Sequence, residues 1–142
     1  MSDLRVVHEW DGTLDETDAP TRRILATDVD VADSVLSTSK GLMFRSSLPD
    51  DYALVMEVGG GIVPFGGPPR RAVHMLFVRV PLDVIWLAGD EVVRVSRMQP
   101  WRSVAMARAD RILELPAGNA AEVSAGDRIV VENSDGETLG SE

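Results

Sequence analysis

The chain contains no cysteine. Disulfides, thiolate nucleophiles, iron–sulfur clusters and the usual zinc ribbons are excluded together. Lysine is nearly absent: Lys40 stands alone, so 13 of the 14 basic residues are arginines. Histidine occurs only as His8 and His74, which limits imidazole bases and ligands to two. No apolar run approaches the roughly 18 residues of a membrane span. The longest runs, residues 73–78 and 84–88, fall far short, and residues 1–10 lack the apolar core of a signal peptide. A soluble, cytoplasmic protein is expected.

What is present is ordinary for a globular protein. Of 142 residues, 44% are hydrophobic and 26% charged, a balance that argues against wholesale disorder. The length suits one domain, which can bury about two thirds of its unfolded surface without metal or disulfide. Asp and Glu number 23 against 14 Lys and Arg, a net charge of −9. A negative field repels phosphate backbones and anionic lipid, so neither a nucleic-acid nor a membrane partner is expected. The default oligomeric state is a monomer. An acidic, nearly lysine-free composition fits a salt-rich cytoplasm, where short Debye lengths quench self-repulsion. A GC-rich genome would also favour arginine over lysine.

Alternation and turn signals organise the chain into short strands. Leu4, Val6, His8 and Trp10 alternate and lead into an acidic loop over residues 11–20. Strands are expected over residues 24–31, 52–58, 73–80, 83–87, 91–95, 112–115 and 128–132. Asp33 or Ser34 caps an expected short helix carrying Val35, Leu36, Leu42 and Met43. Residues 117–123 suggest a helical turn. Gly89-Asp90 is a two-residue hairpin signal, and the glycine- and proline-rich stretch 59–71 is a long loop. The expected fold is mainly β (α+β), a single compact sandwich or barrel-like domain with one or two short helices. An N-terminal strand and acidic loop (1–23) precede the β-domain (24–132), and a polar, frayed tail follows (133–142).

Known catalytic signatures fail. Counting from Gly59 and Gly61, the third glycine of a dinucleotide fingerprint falls on Pro64. Lys40 does not follow a glycine loop, and neither a G-x-S-x-G elbow nor H-E-x-x-H occurs. The acidic stretch Asp28 to Asp33 lacks the glycine and distal Glu of a calcium loop. No metal and no cofactor are expected.

Several polar residues nonetheless sit where burial is demanding. Asp83 opens an apolar strand, and Glu114 lies between Leu113 and Leu115. Each must find donors or bear a desolvation cost of several kcal/mol. At Asp83, backbone N–H groups at a turn would satisfy that need, and Arg45 is a natural ion-pair partner for either carboxylate. His74, between Val73 and Met75, reads as a hydrogen-bonded structural histidine or a base. Trp86 reads as core, and Trp101, after Pro100, as a residue that lines a pocket or caps a barrel end.

Lys40-Gly41-Leu42-Met43-Phe44-Arg45, Ser47-Leu48-Pro49, His74-Met75, Pro81-Leu82-Asp83, Pro100-Trp101, Glu114-Leu115-Pro116-Ala117-Gly118 and Gly126-Asp127 occur in that order. In this ordered combination the chain resembles the domain of unknown function 192 family (uncharacterised protein family 0127), from about Ile24 to Glu132. The resemblance implies a compact, mainly β domain with a short helix around Gly-Leu-Met, and no assigned reaction. Many bacterial relatives carry export signals; none is expected here. Where they tend to show Phe-Trp-Met-Lys-Asn-Thr, this chain has Val73-His74-Met75-Leu76-Phe77-Val78. The His-Met version looks like the archaeal branch.

The leading expectation is a small-molecule-binding module, its pocket formed by Arg45, His74, Asp83, Trp101 and Glu114. A hydrolase or lyase using Asp83 or Glu114 with His74 is the second reading. A protein-interaction domain with an apolar patch around Trp101 is the third. Charge supplies a test independent of these. Screening shortens from about 30 Å at 0.01 M salt to about 3 Å at 1 M. A screening, weakly kosmotropic salt should therefore raise the thermal midpoint steeply up to about 1 M. Sucrose should give only a shallow rise. A midpoint flat between low and molar salt would overturn salt adaptation.

Overall fold

A computed structural model describes residues 3–10, 21–32, 47–57, 70–74, 78–102 and 104–138, with residues 71, 72 and 74 described by their backbone. Ten strands follow in chain order: β1 (Leu4–Trp10), β2 (Thr21–Ala26), β3 (Asp28–Ala32), β4 (Tyr52–Glu57), β5 (Arg70–His74), β6 (Leu82–Ala88), β7 (Glu91–Met98), β8 (Val104–Arg108), β9 (Arg111–Pro116) and β10 (Arg128–Asn133). Eight form one sheet in the order β2-β1-β10-β7-β6-β9-β4-β3, and β5 and β8 form a separate two-stranded ribbon. Every ladder is antiparallel except β3–β4.

The edge strands β2 and β3 are consecutive in the chain, separated by Thr27 alone. No ladder pairs them, so the sheet is open by hydrogen bonding. A one-residue link nevertheless brings its two edges together, and the sheet must curl. Consistent with this, β1 packs beside β3. The concave face holds one core cluster, which includes Val6, Leu25, Val29, Val55, Ile85, Leu87, Leu113, Leu115, Ile129 and Val131. Alternation sends the intervening residues to the convex face. There Leu54, Met56, Leu82, Val84, Trp86, Met98 and Ile112 pack against Val73 of β5 and Ala105 of β8. Strands β4, β6 and β9 are therefore buried on both faces, which explains why most of their positions are apolar.

The expected hairpin forms at Gly89-Asp90, with Ala88 opposite Glu91. Gly89 takes φ +62°, as a two-residue loop between right-twisted strands favours. Both oxygens of the Asp110 carboxylate accept from Gly89 N at 3.1 Å.

Several expectations need correction. The strand expected over 24–31 is two strands. Thr27 N and Asp28 N both donate to Asp51 O, and Thr27 Oγ1 donates to the Asp51 carboxylate, which pins the bend where the chain changes partner from β1 to β4. Residues 78–80, expected as strand, are not. Pro81, which follows, has no N–H for a ladder. Among the described residues there is no helix. The helical turn expected over 117–123 is a succession of tight turns, interrupted where Gly118 takes φ +101°. The helix expected around Val35 to Met43 lies outside the described residues, as does most of loop 59–71. Strand β8 was not anticipated, because its alternating alanines carry little β signal. Residues 133–138 of the tail, expected as frayed, are held by hydrogen bonds. Asn133 Oδ1 accepts from Asp135 N and Glu137 N, and Glu132 bridges to Thr138.

On the convex face of β2, β1 and β10, charged side chains flank the buried pair Val7 and Val130. Arg5 Nε and Arg22 Nη2 both donate to Glu132 Oε1, at 2.9 and 2.8 Å. Arg22 also approaches Glu9, which in turn faces Arg128. Burial alone would push the Glu132 carboxyl up, but the two guanidiniums outweigh it and hold it below its ordinary value.

Candidate functional site

Asp83 opens β6 on the concave face, 2% exposed. Its Oδ2 accepts from Gly118 N and Ala120 N at 2.9 Å each. Its Oδ1 accepts from Arg97 Nε at 3.0 Å, Arg97 being its cross-strand partner on β7. Both oxygens are engaged. The carboxylate ties the turn after β9 over one end of the curled sheet, with the backbone N–H acceptor role anticipated for it and with Arg97 as its guanidinium.

Glu114 is placed differently. Asp83 stands opposite Leu115 and Glu114 opposite Val84, so strand alternation puts the two carboxyls on opposite faces of the sheet. On the convex face, Asp30, Leu54, Glu114, Val84 and Ser96 form one row across β3, β4, β9, β6 and β7. Both immediate neighbours of Glu114 in that row are aliphatic. The next row contains Met56, Ile112 and Trp86. Glu114 is 8% exposed, and among the described residues no hydrogen-bond or ion-pair partner reaches it. Burial pushes its carboxyl up to about 7. Near neutral pH a large share is therefore protonated, able to donate one hydrogen bond and accept others.

Polar groups border this face. Tyr52 Oη donates to Asp30 Oδ2 at 3.0 Å. The Arg94 guanidinium lies 5.6 Å from the Trp86 ring centroid, and its Nη1 donates to Met106 O on β8. Of the other expected site residues, Arg45 lies outside the described residues. His74 ends β5 opposite Val104. Trp101 occupies the β7–β8 turn, 49% exposed and at φ +67°, a left-handed conformation uncommon for a bulky side chain. Within the expected set, Asp83 and Glu114 are thus separated by the sheet itself.

One pair escaped the expected set. His8 is buried on the concave face, and its Nε2 lies 2.8 Å from Asp127 Oδ2, which also accepts from Ser124 N. The acceptor places the proton on Nε2, so the ring donates to the carboxylate. Nδ1 is buried and has no partner among the described residues. The ring packs on Trp10 at 4.5 Å. The alternation Leu4, Val6, His8, Trp10 was the available signal, because it places the imidazole on the same face as Val6. At the same end of the sheet, buried Arg111 donates to Glu57 at 2.9 Å.

Among the described residues, no three His, Asp or Glu side chains gather as metal ligands, and no helix is long and apolar enough to cross a membrane.

Fold and buried carboxyls together define a small, mainly β domain with one core inside a curled sheet and another beneath a ribbon. The chain belongs to the domain of unknown function 192 family (DUF192), whose model, described as "Uncharacterized ACR", matches residues 17–131. No curated protein matches it. Among solved structures it is similar to a Sinorhizobium meliloti 1021 protein provisionally described as a transcription regulator. That match has 21% identity and a TM-score of 0.67, covering 89% of this chain and 92% of the other. A protein of unknown function from Novosphingobium aromaticivorans DSM 12444 is similar at 22% identity and TM-score 0.63, covering 88% and 82%. At these identities the likeness is one of fold.

Two outcomes follow from the carboxyls. Asp83→Leu leaves the N–H groups of Gly118 and Ala120 and the Arg97 guanidinium unsatisfied, and should lower stability by about 1–3 kcal/mol. Denaturant unfolding at the wild-type midpoint would contradict the structural role. For Glu114 the sign is opposite to that of an ion-paired carboxylate. The unfolded chain releases this proton near 4.5, the folded one near 7. Wild-type stability should therefore fall as pH rises through that window and level off above it, a loss of about 3 kcal/mol. Glu114→Gln should flatten this dependence, measured as unfolding free energy against pH.

Proposed function

We propose that the protein is a small-molecule-binding domain whose site is the convex face around Glu114. The observation that supports this reading is a buried carboxyl, central in a sheet, with aliphatic neighbours and no partner among the described residues. Buried polar groups are otherwise hydrogen-bonded, so one without a partner marks a place where a ligand can supply it. The residual exposure of Glu114 leaves an approach, while Leu54 in its own row and Trp86 in the next are buried and keep its surroundings apolar. The matching ligand has a flat or compact apolar body and a nitrogen or hydroxyl donor. A protonated amine would bind the Glu114 carboxylate as an ion pair, the carboxyl releasing its proton to solvent on binding. Asp83 serves this site indirectly, by holding the turn that seals the other face. The near absence of lysine and the net charge of −9 support a cytoplasmic, salt-adapted setting of the archaeal kind for the same domain.

Tryptamine is a suitable probe, having an aromatic body and one amine. Wild-type protein should be stabilised by it in a thermal-shift assay and retain it in native mass spectrometry. Glu114→Leu should abolish both while unfolding at an equal or higher temperature, because apolar replacement of an unpaired buried carboxyl is neutral or stabilising. Retention of tryptamine by Glu114→Leu, or no binding by wild type, would overturn the proposal.

A further inference from the structure

Charge along this chain is segregated. Residues 70–108 hold seven arginines and three acidic residues, a local excess of four positive charges. The remainder of the chain carries an excess of thirteen negative ones. Of the three acids, Asp83 is paired with Arg97, and Asp90 and Glu91 lie at the β6–β7 hairpin tip. The positive excess therefore centres on the ribbon and the turn that leads into it.

The outer face of that ribbon and the turn before it also carry three of the six large exposed hydrophobics among the described residues. Ala105 packs inward against the convex core, so its neighbours Val104 and Met106 face outward, 70% and 48% exposed. Trp101, in the preceding turn, extends the same exposed segment. Arginines bracket it: Arg102 within the turn, and Arg108 opposite Arg70 across the β5–β8 ladder, all exposed. Trp101 is held at φ +67°, and a bulky residue in so restricted a conformation points to a role beyond packing.

We propose that this stripe docks an acidic polypeptide segment in extended conformation, carrying carboxylates interleaved with apolar side chains. Three features select this occupant. An extended chain repeats every two residues, as do Val104 and Met106 on β8. Guanidinium groups match carboxylates in planar, bidentate geometry, and a positive patch on a negative protein steers an anionic partner to one place. Trp101 is the one ring in the stripe that a base could stack on, whereas Val104 and Met106 are aliphatic, which favours polypeptide over nucleic acid. A second copy of this chain fits poorly, because a two-fold pairing would set one positive face against its equal.

The test uses fluorescence anisotropy on the full chain with three labelled probes: a short peptide alternating Glu and Leu, a Glu-only peptide of the same length, and a thymidine oligonucleotide. The Glu-Leu peptide should bind, at least about tenfold more tightly than the others, with affinity falling as salt rises. Val104→Glu and Arg102→Glu should each weaken it by about tenfold or more. Both positions are exposed, and unchanged thermal midpoints would show that the fold is kept. Trp101→Gly, which relieves the left-handed backbone, should weaken binding without lowering the midpoint. Equal binding of the Glu-only peptide, tighter binding of the oligonucleotide, no binding of the Glu-Leu peptide, or indifference to both charge-introducing substitutions would overturn the proposal.

Discussion

A single residue, Thr27, joins the two edges of an eight-stranded sheet, and most of the architecture follows from that closure. Strands β2 and β3 lie at opposite ends of the hydrogen-bonded order, yet the chain passes between them in one step. The sheet has to curl to permit it, which creates a concave side deep enough for one core and a convex side that needs a second cover. Asp51 fixes the bend by accepting from the backbone N–H groups of both Thr27 and Asp28. With both faces covered, the central strands must be apolar at almost every position. Any polar residue among them then has to be satisfied or functional.

The buried charges divide along those lines. Asp83 with Arg97 and Glu57 with Arg111 occupy opposite ends of the curled sheet, each paired at 2.9–3.0 Å. Asp83 does more than pair, since its second oxygen organises the turn after β9 through two backbone N–H groups. Glu132 gathers two guanidiniums across three strands. In each case donors offset desolvation. Glu114 is the exception: its raised affinity for a proton follows from burial beside aliphatic neighbours, with no donor reaching it among the described residues.

The ribbon connects the two functional readings physically. Val73 and Ala105 cover the convex core that contains the Glu114 row, while the other side of β8 presents Val104 and Met106 outward. Arg94 links the layers, stacking on Trp86 beneath and donating to the backbone of β8 above. A polypeptide seated on the outer face and a small molecule held at the inner one would share a two-stranded element as their common wall. Displacement of that wall would be felt at both.

Much of the fold was legible in the sequence. Period-two alternation, Gly89-Asp90, the doubly apolar run at residues 83–87 and the short run at 112–115 are local properties, written in consecutive residues, and they appear within strands β6, β7 and β9. Asp83 as an acceptor for turn N–H groups was legible too, because a carboxylate opening a buried strand has few alternatives. Strand β8 was not, since alanines alternate too weakly to mark a face. Nor was the break at Thr27, which depends on Asp51, a residue distant in the chain. Above all, Asp83 and Glu114 appear in the sequence as equivalent buried carboxylates, one beside each apolar run. Only the register between β6 and β9 decided that they face opposite sides of the sheet, because a shift of one residue exchanges every side chain between faces. Local pattern determined that each would be buried. The pairing of distant strands decided which would be satisfied and which left without a partner among the described residues.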